Sequence, residues 1–84
     1  MNKIILCGFG RAGLEIFYQI INKLQVSPRN ILVFTHKARE NDLFISHLNN
    51  LEVPYYLDSI NLKLEMVVEF NPKYLFSIYY RNII

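Results

Sequence analysis

Eighty-four residues, 52% of them hydrophobic and 19% charged, bound the chain to one small folded domain and exclude a disordered tail. The net charge of +2 is scattered, with Lys37 and Arg39 beside Glu40 and Asp42, so no basic run argues for nucleic acid as a partner. A single cysteine, Cys7, excludes an internal disulfide and a metal site with cysteine spacing.

Met1-Asn2-Lys3 leads into Ile4 to Cys7, a short apolar run broken at once by Gly8 and Gly10. A signal peptide needs about 7–15 apolar residues and a membrane span about 20, so a cytoplasmic protein with no membrane partner is expected. Continuous apolar character without alternation predicts a strand buried on both faces, as in a parallel sheet. Cys7, inside that run, reads as a buried structural thiol. Gly8-Phe9-Gly10 turns the chain, and from Arg11 the period becomes helical, with Leu14, Phe17, Tyr18, Ile21 and Leu24 on one stripe. Ser27-Pro28-Arg29-Asn30 breaks that helix. Ile31 to Phe34 repeats the buried-strand pattern, and Thr35 to Asn41 is a polar connection.

Asp42 is placed to cap a second helix reaching about Asn49, with Leu43, Phe44, Leu48 and Leu51 turned inward. His47 falls on its surface or half-buried. Val53 to Leu57 predicts a short third strand, at an edge because Pro54 donates nothing to a ladder. Asn61 is positioned to cap a third helix, with Leu62, Met66, Val67 and Phe70 on one face, ended by Asn71-Pro72. Tyr74 to Ile78 is the fourth strand. The order βαβαβαβ predicts an α/β, Rossmann-like, three-layer open parallel sheet spanning residues 1–84 as part of one domain, with strand order 3-2-1-4.

Gly8-Phe9-Gly10-Arg11-Ala12-Gly13 fits G-x-G-x-x-G between a strand and a helix. In a dinucleotide fold the glycines make the turn, admit a pyrophosphate and allow close helix–strand packing. Here the same glycines are equally read as a tight turn at the head of an open sheet. The acid wanted at the end of the second strand is missing, and Thr35-His36-Lys37 stands there. His36, Lys37 and Arg39 are suited to a 2′-phosphate, which makes NADP the alternative cofactor and a non-catalytic NAD(P)-binding module the alternative function.

The second half of the chain carries a more specific pattern. Leu51-Glu52-Val53-Pro54-Tyr55-Tyr56-Leu57-Asp58-Ser59-Ile60-Asn61 resembles the g-I-P-v…s-i-N stretch of the folate-dependent formyltransferases. Asn71-Pro72-Lys73-Tyr74-Leu75-Phe76-Ser77-Ile78-Tyr79-Tyr80-Arg81-Asn82-Ile83-Ile84 resembles that family's n-P-D-l-i-v-S-v-x-Y-r-x-I-I segment. The opening Lys3 to Gly8, followed by a helix with Leu14-Glu15, also fits. Tyr79-Tyr80-Arg81 makes the sugar N-formyltransferases the nearer branch, ahead of the methionyl-tRNA enzymes. The resemblance implies a Rossmann-like fold, N10-formyltetrahydrofolate as cofactor, and formyl transfer to an amine, here an amino sugar. It also implies that Tyr79, Tyr80, Arg81, Asn82 and Ile83 form one wall of the pteridine pocket. Gly8 and Gly10 are cofactor-binding candidates from the glycine motif, which is richer in glycine than the family usually shows.

The family's catalytic Asn, His and Asp have no counterpart in these residues, and no Asn-x-His motif is present. Lys73 replaces the usual Asp before the fourth strand. The expectation is therefore an N-terminal fragment of such an enzyme, without catalytic residues and inactive by itself. The fourth strand, apolar and at a sheet edge, predicts self-association through that edge.

Overall fold

The computed structural model describes residues 3–36, 42–57 and 60–78. Among them, four strands form one parallel sheet: β1 (Ile4–Gly8), β2 (Ile31–Phe34), β3 (Tyr55–Tyr56) and β4 (Tyr74–Ile78), in the order β3-β2-β1-β4. Three α-helices connect them: α1 (Gly10–Lys23), α2 (Leu43–Asn50) and α3 (Leu64–Phe70). Two 3-10 turns, Pro28–Asn30 and Ile60–Lys63, precede β2 and α3.

The buried strands explain the topology. Successive residues of a strand face opposite sides of the sheet, so a continuous apolar run needs cover on both faces. Ile4, Leu6, Ile31 and Val33 pack with Phe17 and Ile20 of α1 and with Phe44 and Leu48 of α2. Ile5, Cys7, Leu32 and Phe34 turn the other way and pack with Ile60 and with Met66, Val67 and Phe70 around α3. The result is three layers, with α1 and α2 on one face and α3 on the other. This division follows from right-handed crossovers. The chain steps outward from β1 to β2 and β3 on one side. It then returns past them to β4, so its last crossover must lie on the opposite face. β1 thus becomes central, paired with β2 from Ile4↔Ile31 to Cys7↔Phe34 and with β4 from Ile4↔Tyr74 to Gly8↔Ile78.

The helix faces differ from the predicted stripes in instructive ways. On α1 the buried line is Gly13, Phe17 and Ile20, while Leu14, Tyr18 and Ile21 are half-buried. This helix packs on the sheet and also touches α2, so its apolar surface is divided between two neighbours. Leu24 is 54% exposed because the helix ends at Lys23. Gln25 then takes a left-handed conformation (φ 54°), and Val26 returns to the core in Leu24's place.

The end of α2 follows the same logic. Glu52 is left-handed (φ 57°), the Glu52 N–H donates to the Asn49 carbonyl (3.2 Å) and the Val53 N–H to the Leu48 carbonyl (2.9 Å). This Schellman arrangement buries Val53 and leaves Leu51 exposed. At the other end, Asp42 caps α2 as expected. Its carboxylate accepts from the Ile45 N–H at 3.1 Å, an interaction worth about 1 kcal/mol. Leu43 opens the helix on the outside, 69% exposed, whereas Phe44 and Leu48, one turn apart, carry the contact.

Asn61 does not cap α3. It lies in the 3-10 turn Ile60–Lys63, and the α-helix begins at Leu64. The tighter turn advances each residue by about 120°, not 100°, which rotates Leu62 out of line with Met66 and Val67 and leaves it 75% exposed. Ile60, fully buried, is the anchor on that face. β3 is shorter than the predicted Val53 to Leu57, though Pro54 does sit at the sheet's edge. Its carbonyl accepts from the Val33 N–H at 3.1 Å, the one role in a ladder that a proline retains. β4 forms the other edge, with Tyr74 and Leu75 exposed.

Candidate functional site

In an open parallel sheet, ligands bind beyond the carboxyl ends of the strands, where neighbouring crossovers diverge to opposite faces. In this chain that place lies between β1 and β4, and the Gly8↔Ile78 pairing brings the glycine turn and the exit of β4 to the same edge. Gly8 is the buried last residue of β1. Phe9 is extended (φ −155°, ψ 166°) and precedes α1 without making a side-chain cap. Gly10 opens the helix with φ +64°, and a Cβ there would meet nothing within 4 Å. The glycine is required by its left-handed backbone, not by crowding. Gly13 is the opposite case. A Cβ would fall 2.8 Å from Phe44 Cε2 and 3.2 Å from the Gly8 carbonyl carbon, so this third glycine is what lets α1 lie close to the sheet.

The first turn of α1 therefore presents backbone N–H groups with no intrahelical partner, no capping side chain and no acidic residue. Arg11, largely exposed, lies 3.4 Å from Glu15 through Nε. A surface pair of this kind contributes little stability, and Glu15 partly offsets the Arg11 charge beside the helix N-terminus. The uncapped first turn favours an anion over a cation at this edge.

Two contacts here were not legible from the motif. The Phe9 and His36 rings meet edge to face, with centroids 5.8 Å apart and planes at 77°, so residues at the carboxyl ends of adjacent strands touch. Thr35, before His36, is fully buried, and its N–H donates to the Tyr56 carbonyl at 2.9 Å. Farther along α1, the Tyr18 hydroxyl and His47 Nδ1 share a hydrogen bond of 2.6 Å, with the rings nearly perpendicular. This bond ties α1 to α2 and places half-buried His47 in a structural role. Tyr79, Tyr80, Arg81, Asn82 and Ile83, expected on the pocket wall, lie outside the described residues, as do Lys37 and Arg39.

Cys7 is fully buried, and desolvation pushes its thiol up to about 12. A thiol so raised is neither nucleophile nor ligand near neutrality. An unfolded chain ionises this thiol near pH 9, the folded one near 12, so the fold loses stability as pH rises above 9. At pH 10 the loss is about 1.4 kcal/mol. Urea unfolding should show wild type losing that much more stability than Cys7→Ala between pH 8 and pH 10, and native Cys7 should resist iodoacetamide at pH 8.

A depression of about 380 Å³ runs along Asn61, Leu62, Lys63, Leu64, Glu65 and Met66. Its described lining is one continuous stretch of chain, the 3-10 turn and the first residues of α3. Among the described residues there is no group of three or more His, Cys, Asp or Glu able to hold a metal, and no helix long and apolar enough to cross a membrane. Comparison with protein-family models and with curated proteins gives no match.

Proposed function

We propose that the chain carries the cofactor-binding side of an N10-formyltetrahydrofolate-dependent formyltransferase acting on an amine, with an amino sugar as acceptor. The observation that carries this reading is the parallel pairing of β1 with β4 through Gly8↔Ile78. It brings the end of β4, which leads in sequence into the segment where the resemblance to the family is strongest, to the same edge as the Gly8–Gly10 turn. Tyr79, Tyr80, Arg81, Asn82 and Ile83 would then meet the pteridine. The α1 N-terminus, without a side-chain cap, suits an anionic part of the ligand.

Formyl transfer needs a polarised formyl oxygen and removal of a proton from the attacking amine. These 84 residues hold no Asn-x-His motif for that work. His47 is engaged with Tyr18, and Cys7 is sealed in the core. Binding, not transfer, is accordingly what these residues are proposed to do.

The test is a titration with a stable folate analogue such as 5-formyltetrahydrofolate, read by thermal unfolding. At ten times the Kd, linkage gives about 1.4 kcal/mol, or roughly 6–11 °C for a domain of this size. Tyr80→Ala should remove most of that shift while leaving the unliganded Tm within a few degrees. A curve that does not saturate, or a Tyr80→Ala chain that responds like wild type, would remove the reading.

A further inference from the structure

The carboxyl edge of β1 has two flanks, one toward β4 and one toward β2, and the second already carries side chains. We propose that the Phe9–His36 pair is a specificity determinant that closes the β1–β2 flank to the adenosine ribose of a dinucleotide and confines ligand to the β1–β4 flank. The inference rests on the folate reading for the identity of the ligand that is admitted, but not for the one that is refused.

In a dinucleotide fold the residue at the end of β2 is a carboxylate that accepts from both ribose hydroxyls. Here that place falls to Thr35 and His36. The Thr35 side chain is fully buried and faces no ligand. His36 follows it, and its ring stands against Phe9 at 5.8 Å. Neighbouring strands lie about 4.8 Å apart, so two rings in contact at that separation reach from the end of β1 to the end of β2. The backbone leading into His36 is fixed by the Thr35–Tyr56 hydrogen bond, which makes the pair part of the sheet's rim. A ribose at this position would have to displace a ring, and neither Thr35 nor His36 offers it a carboxylate. The G-x-G-x-x-G pattern thus keeps its turn and its close packing while its usual ligand is excluded.

The experiment compares the 84-residue wild type, His36→Asp and Phe9→Ala/His36→Asp, each titrated with NADH and followed by the nicotinamide fluorescence. Wild type should show no saturable binding. The double variant should gain affinity by about tenfold or more, and the single variant should fall between. Thermal unfolding of each chain establishes that it is folded, and the single variant serves if the double one is not. Saturable NADH binding by wild type would overturn the proposal, as would a folded variant with no gain. The folate titration of wild type separates the two readings: NADH gained by the variants with no folate response leaves the exclusion standing and removes the formyltransferase assignment.

Discussion

Replacing Phe17 with Ala should remove about half of the chain's stability. Phe17 is fully buried at the centre of the α1 face, with its ring 6.0 Å from that of Phe44 and 5.4 Å from that of Tyr18. Core Phe→Ala changes cost about 3–5 kcal/mol, and a domain of this length has roughly 4–12 kcal/mol in total. Besides Phe17, α1 is held by Ile20 on the same buried line and by the Tyr18–His47 bond to α2. The helix has no side-chain cap, and its exposed Arg11–Glu15 pair contributes a few tenths of a kcal/mol at most. Its position depends on the apolar face that Phe17 anchors. The measurement is a urea midpoint at unchanged slope, with Phe70→Ala as comparison. Phe70 is only half-buried on the far face, so its loss should cost about half as much. A Phe17→Ala chain destabilised by less than about 1 kcal/mol would mean that α1 does not pack on the sheet through this residue.

The strands were legible because each demand they make is local. Ile4 to Cys7 and Ile31 to Phe34 cannot be solvated on either face, and the alternation of such runs with helical periods leaves few topologies. The reversal to β4 follows from handedness, and with it the order observed. Helix faces were less legible, since they depend on what stands opposite. Nothing local says that α1 must share its surface between a sheet and α2, or that Ile20 is buried where Leu24 is not. The backbone turns that end α1 and α2 were hidden for a different reason, although α2 stops at Asn50, close to the expected Asn49. Gln25 and Glu52 take left-handed conformations that sequence marks only when glycine or asparagine fills them, as Asn71 does after α3.

At the candidate site, the glycines announced a turn, and they make one. Their spacing says nothing of the ring contact between Phe9 and His36, which exists only because β1 and β2 are neighbours. A Phe between two glycines and a His just past a strand end are the available signals. They acquire meaning only once the register Cys7↔Phe34 is known. The glycine pattern therefore describes the backbone well and the ligand poorly. Gly10 answers to its φ and Gly13 to its neighbours, and neither needs a phosphate to explain it.

Gly13 offers the sharper test of that claim. At an ordinary helical position Gly→Ala stabilises by about 1 kcal/mol. Here the added methyl would stand 2.8 Å from Phe44 Cε2, 3.1 Å from Cδ2 and 3.2 Å from the Gly8 carbonyl carbon. Phe44 is fully buried, so its ring has no open space to enter, and overpacking of this kind costs about 1–3 kcal/mol. The crowding outweighs the propensity: Gly13→Ala should destabilise by about 1 kcal/mol, and Gly13→Val by several, since both branches enter the same gap. Phe44→Leu shortens the side chain that does most of the crowding. In that background Gly13→Ala should be close to neutral, giving a coupling of about 1 kcal/mol in a double-mutant cycle. The residual cost reflects the Gly8 backbone, which cannot retreat without disturbing its pairing with Ile78. A wild-type chain stabilised by Gly13→Ala would show that α1 stands farther from β1 than this packing requires, and the edge on which the ligand is proposed to sit would have a different shape.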